Sequence, residues 1–382
     1  MRRTLLVGTC LTITLTISGC QDSATAPTAA RVAPAASRVL QSELNADTVL
    51  DLAELQLPSS ARIADHDVIN PRDYVCPAST DVTAWYRSQI LDFRTKEPAL
   101  YTVLVTNLLA DLIPTYEALL FQTTDTPQSF GYNGEYTRIL QKAERDVKRF
   151  WDIPSADIQL IGLHGTVLLD VERTAQTYRT LFPTLSPATA LAIAQTVRNA
   201  VLQSQTLNGG NHPIFSFNAF AASGGGIPDK IIMGDGVLAG FDAVGLGDVA
   251  PQAAYAHEFA HQIQFENGYF DDPFATAGSA AERTRYTELM ADAYAAYYLT
   301  HKRGGTLNKK RVAQFLQVYY QLGDCAFTSS GHHGTPNQRL AAAQLGFDLA
   351  DQAQKQGHIM SSEQFHALFV AAYPQIIAPD AP

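Results

Sequence analysis

Tyr255-Ala256-His257-Glu258-Phe259-Ala260-His261-Gln262-Ile263-Gln264 is the stretch on which the reading of this chain turns. It carries a HExxH pattern inside a run with helical spacing. Residues four apart on a helix lie on one face, one turn above the other. His257 and His261 can therefore present two imidazoles to a single metal ion. Glu258 stands beside that pair, where a carboxylate can take a proton from an activated water. Tyr255, Phe259 and Ile263 repeat at the same spacing and are expected to bury the opposite side of the helix. Pro251 falls near the expected start, where a missing N–H costs little. An ordinary helix with two histidines would look the same on its own, so the rest of the chain must supply the missing parts.

A three-ligand site needs one more donor. The apolar run Glu288-Leu289-Met290-Ala291-Asp292-Ala293-Tyr294-Ala295-Ala296 offers Glu288 and Asp292, four apart and on one face. Glu288 completes a His₂Glu set, and Asp292 can accept a hydrogen bond from a ligand imidazole and fix its tautomer. Ala291, Ala295 and Ala296 allow close approach to the HExxH helix. Glu282 is the rival third ligand, although Arg283 and Arg285 offer it ion-pair partners; the neighbouring Asp292 favours Glu288. Further on, Gly331-His332-His333-Gly334-Thr335-Pro336 reads as a turn opening a helix, with Thr335 as cap and Pro336 at the first helical position. His332 and His333 are candidates to stabilise an oxyanion, and a structural role for both competes with that.

Ahead of the HExxH helix, Ile214 to Ala221 alternates in the manner of a strand. Ser223-Gly224-Gly225-Gly226 breaks it, and Lys230 to Leu238 reads as a second strand, giving an expected antiparallel hairpin. Such an edge can pair with an extended peptide backbone. From Val39 to Gln205 the pattern is mostly helical: Val39–Leu57, two helices across Thr83–Phe121 broken near Pro98 and bent near Pro114, then Tyr136–Trp151 and Pro187–Gln205. His164, alone on an apolar stretch, reads as structural. The expected fold is α+β and mainly helical, with a small antiparallel sheet beside the HExxH helix. At 46% hydrophobic and 17% charged, the chain can build a large core, and its net charge of −10 disfavours nucleic acid as a partner.

The N-terminus reads as a targeting segment. Arg2 and Arg3 precede an apolar run from Leu5 to Ile17, and Ile17-Ser18-Gly19-Cys20 resembles a bacterial lipobox with Cys20 as the lipidated residue. The expectation is a lipoprotein of the cell envelope held to a membrane by acyl chains, with Gln21 after the cysteine resembling an outer-membrane address in a Gram-negative cell. The expected divisions are a signal peptide at 1–19, an Ala/Thr/Ser/Pro-rich tether at 20–38, a helical region at 39–205 and a region bearing the HExxH site at 206–382. Cys76 and Cys325 remain as an even pair: a disulfide and two buried thiols are both open readings.

From about Phe217 to Phe347 the chain resembles the bacterial neutral zinc metallopeptidase family of the YpfJ type. The shared features, in the family's order, are Asn218-Ala219-Phe220, HEFAHQIQ at 257–264, ELMADA at 288–293, Gly323-Asp324, and HGTPNQR at 333–339 running into Gly346-Phe347. Ala293 and Cys325 depart from the residues usual in that family. The resemblance implies a zincin-like domain, with His257, His261 and Glu288 as zinc ligands and Glu258 as catalytic base. The expected activity is zinc-dependent hydrolysis of peptide or protein substrates. The competing reading is a surface lipoprotein that binds a partner and carries a structural or vestigial metal site.

Overall fold

The computed structural model describes residues 6–7, 75, 77, 79–307, 309–324, 332–356 and 358–380. Cys20, the tether, the expected helix at 39–57, and both Cys76 and Cys325 lie outside the described residues, as does the signal segment apart from Leu6 and Val7. The N-terminal half carries helices α1 (Asp81–Lys96), α2 (Ile113–Leu120), α3 (Thr137–Phe150), α4 (Val171–Leu181) and α5 (Pro187–Gln203). After it come α6 (Asp235–Ala243), α7 (Ala250–Asn267), α8 (Ala280–Thr300), α9 (Lys309–Leu322), α10 (Pro336–Gln356) and α11 (Ser362–Ile376). Among the described residues no helix is long and apolar enough to cross a membrane. Pro98 opens a short helical turn. Pro114 sits in the first turn of α2 and does not bend a longer helix, because the chain between them takes a π-helical turn at Thr102–Asn107.

Three strands form a small mixed sheet in the order β2-β3-β1: β1 (Gln159–Leu163), β2 (Ala219–Ser223) and β3 (Lys230–Gly234), with Leu6–Val7 paired antiparallel along the outer edge of β2. β2 and β3 make the expected antiparallel hairpin, Ala219 opposite Met233. β1 instead runs parallel to β3, Gln159 opposite Lys230, so the sheet is mixed and not purely antiparallel. The strands also sit differently from the expected positions. Pro213–Phe215 is a 3₁₀ turn, and the second strand stops at Gly234, where α6 begins. Both sheet faces are covered, so polar alternation was a poor guide. Ala219, Ala221, Ile231 and Met233 enter the main core, whereas Phe220, Ala222 and Ile232 pack with Ala118 and Leu119 of α2.

The main core also draws on Leu140, Val147 and Phe150 of α3. Sheet and core thus continue across the expected boundary at 205/206. α7, α8 and α10 form the centre, with α8 buried from Arg285 to Thr300 on every side, as suits a helix enclosed by others. α7 starts with Pro251 in its first turn and ends at Gly268, whose left-handed backbone (φ 70°) lets its N–H reach the last carbonyls. Gln262 ties this helix to the sheet by donating to the Ala222 and Lys230 carbonyls at 3.2 and 2.8 Å.

α8 and α10 cross closely at Gly346, where a Cβ would collide with the Ala293 carbonyl oxygen and crowd Ala296. The small side chain of Ala296 therefore serves the contact with α10. Gly346→Ala gains about 1 kcal/mol in helix propensity. Because the obstructing atom is backbone, overpacking outweighs that gain, and the expected net loss of stability is about 1–3 kcal/mol. Urea unfolding measures it. A more stable variant would show that the helices do not cross this closely.

Candidate metal centre

α7 supplies His257, Glu258 and His261, and α8 supplies Glu288 and Asp292. α8 is started by a reciprocal cap. Ser279 Oγ accepts from the Glu282 N–H, and Glu282 Oε2 accepts from the Ser279 N–H. Glu282, the rival ligand, is spent on this cap, and Arg283 donates to the Gly278 carbonyl. α10 begins the same way, with Thr335 and Gln338 bonded reciprocally and Pro336 at the first helical position, as the sequence implied.

His257, His261 and Glu288 converge, fully buried, as a group that could hold a metal ion. The two imidazole planes stand at 89° with centroids 4.9 Å apart. His257 Nε2 lies 3.2 Å from one Glu288 oxygen and His261 Nε2 lies 3.4 Å from the other. Tetrahedral coordination with bonds of about 2.0–2.1 Å has edges of about 3.3–3.4 Å, so these separations suit donors arranged about a shared cation.

The opposite ring nitrogens fix the tautomers. His257 Nδ1–H donates to Asp292 Oδ1 at 2.9 Å. His261 Nδ1–H donates to Gln264 Oε1 at 2.8 Å, and Gln264 Nε2 in turn donates to the Thr287 carbonyl at 2.7 Å, one residue before Glu288. In its neutral form each imidazole would thereby turn an Nε2 lone pair toward a carboxylate oxygen. Acceptor facing acceptor in a dry site is repulsive unless a proton or a metal stands between them.

Behind Asp292 lies Arg339, wholly buried. Its Nε and Nη2 donate to the two Asp292 oxygens, each at 2.7 Å, and Nη1 donates to the Leu322 carbonyl at 3.3 Å. Glu288 is 3.8 Å from the same guanidinium. Burial pulls His257 toward the neutral form, yet its bonds with Asp292 and Glu288 prevail and hold its pKa up at about 10. Burial pushes Glu288 the other way, but the nearby His333, His261 and His257 keep it well below the usual carboxylate range. Burial raises Glu258, against the influence of the two imidazoles, and its Oε2 has no hydrogen-bond partner among the described residues.

Asp324 gathers the two later histidines. His332 Nδ1 lies 2.7 Å from one of its oxygens, and His333 donates to the other from both backbone N and Nδ1. His333 stands near enough for its charge to act on Glu288, and its buried Nε2 has no partner among the described residues. His164, given no role from sequence, is bonded through Nδ1 to Asp235 at 2.7 Å at the far end of the sheet.

Sequence reasoning thus reached both imidazoles, Glu258, Glu288 and Asp292. It missed Gln264, although the i, i+3 spacing from His261 was legible. It also gave no role to Arg339, whose partner Asp292 lies 47 residues away. The chain matches no protein-family model, no curated protein and no solved structure.

A metal entering this group would compete with a proton on His257. With that pKa near 10, apparent metal affinity is expected to rise by about tenfold per pH unit from pH 7 to pH 9 and to level off above 10. Competition against a chromogenic chelator at stepped pH measures this, and a flat profile would contradict it. Asp292→Asn should weaken metal binding by about 10–100-fold in the same assay.

Proposed function

We propose that this chain is a zinc-dependent metallopeptidase with a zincin-like centre, carried on a lipid-anchored envelope protein. The observation that carries the reading is the convergence of two Nε2 lone pairs and the Glu288 carboxylate at tetrahedral-edge spacing. Charge agrees with it. Glu258, Glu288 and Asp292 outnumber the buried arginines Arg285 and Arg339 by three to two, so the buried set favours a cation. Two imidazoles and one carboxylate suit zinc better than the harder divalent ions. The ordered motifs shared with neutral zinc metallopeptidases support the same reading.

His257, His261 and Glu288 would hold the zinc, which would supply Lewis acidity toward water and a substrate carbonyl. The chain's own groups do the rest. Glu258, with a free and buried Oε2, takes a proton from the attacking water and returns it to the leaving amine. Its raised affinity for a proton suits both halves of that transfer. Asp292 and Gln264 hold the two imidazoles in the tautomer that keeps Nε2 available. His333, anchored to Asp324 through Nδ1, offers Nε2 as a donor to an oxyanion when protonated, while His332 braces the same carboxylate. The outer edge of β2 suits an extended peptide backbone, and that edge is left open once the leader bearing Leu6–Val7 is removed.

The decisive experiment pairs metal content with peptide-library hydrolysis on the full mature chain in detergent. Wild type and Glu258→Gln are expected to hold about one zinc per chain, as a three-ligand site requires. Glu258→Gln should lose at least about a hundredfold in rate, and Glu288→Gln should lose the metal. Metal without hydrolysis in wild type would favour a partner-binding lipoprotein with a structural site, and no metal in wild type would remove the peptidase and leave at most a vestigial site.

A further inference from the structure

Two arginines are buried at this centre, and they are in opposite states. Arg339 has its guanidinium bonded to Asp292 and to a carbonyl. Arg285 is 3% exposed, yet its Nε and Nη1 are buried with no hydrogen-bond partner among the described residues. It does not pair with Glu282, which the cap of α8 consumes. A guanidinium stays charged under all ordinary conditions, and a charge buried without a partner is costly.

Its place on α8 gives the charge a direction. Arg285, Glu288 and Asp292 follow one another at i, i+3 and i+7, on the face that carries the metal ligand. The stem of Arg285 packs beside Gly334, whose added Cβ would stand 3.6 Å from Arg285 Cγ, and Gly334 directly follows His333. Arg285 is therefore about one helical turn, roughly 4.5 Å along the axis, from Glu288. One residue of extended peptide spans about 3.5 Å, so a group one residue from a bond at the metal falls within its reach.

We propose that Arg285 is an anion-recognition residue that receives a carboxylate of the substrate next to the scissile bond. The fork of the guanidinium matches a carboxylate in two parallel hydrogen bonds. The carboxylate comes from an Asp or Glu side chain or from the C-terminus of the peptide. This inference rests on the peptidase reading for the bond that is cut, but not for the anion that is bound.

The zinc-loaded full chain is assayed on peptide libraries that differ in one feature: Glu against Gln at a fixed position, and a free against an amidated C-terminus. Wild type is expected to favour the carboxylate form of one pair by about 10–100-fold in kcat/KM, and the pair that responds identifies the source. Arg285→Gln should lose most of that preference and Arg285→Lys should keep part of it, which a merely structural arginine would not produce. Binding of the same peptides to zinc-loaded Glu258→Gln, read by fluorescence anisotropy, separates the two ideas. Hydrolysis without preference for either carboxylate overturns the role of Arg285 and leaves the peptidase standing. Carboxylate-selective binding without wild-type hydrolysis does the reverse. Neither hydrolysis nor selective binding removes both. Should Arg285→Gln fail to fold, the wild-type comparison alone decides.

Discussion

The bidentate pair between Arg339 and Asp292 is the interaction on which the rest of the centre depends. It sits wholly buried where α7, α8 and α10 meet, a setting in which an isolated carboxylate would be costly. With Arg339 behind it, Asp292 is held in place and presents an oxygen to His257. That bond fixes the ring, and the ring faces Glu288. Arg339 comes from α10, Asp292 and Glu288 from α8, and His257 from α7, so one chain of hydrogen bonds and ion pairs locks three helices in register. The same chain explains why the helices must approach closely, and why small residues such as Ala296 and Gly346 stand where α8 meets α10. Pairs of this kind add little net stability over apolar replacements, but removing one member strands the others. They define the arrangement more than they strengthen it.

What was legible in the sequence was local. The spacing of His257 and His261, the adjacency of Glu258 and the pairing of Glu288 with Asp292 are all helix-periodic, and helix periodicity survives in sequence. The caps at Thr335 and Pro336 were readable for the same reason. The rejection of Glu282 needed the capping box at Ser279, which was also present in the sequence as Ser279-Ala280-Ala281-Glu282.

What was not legible was non-local. Arg339 meets Asp292 across 47 positions, and Asp324 collects His332 and His333 from 8 and 9 positions away. The sheet was misjudged for the same cause. Its hairpin is a short-range feature and was found, but the parallel strand β1 lies far upstream and carries no periodic mark of its partner. Strands buried on both faces also lose the polar alternation that would announce them. Strand limits slipped accordingly.

The parallel pairing of β1 with β3 sets an order on biogenesis. Gln159 must wait for Lys230 before its ladder can form, so a chain emerging N-terminus first makes β1 well before anything exists to cover it. Until then Leu160, Ile161 and Leu163, which end up buried, stand at a bare strand edge. Growth conditions that slow synthesis between these two segments lengthen that exposure. The upstream half is thus the part of the molecule most in need of a holding chaperone, although the candidate metal centre lies entirely downstream.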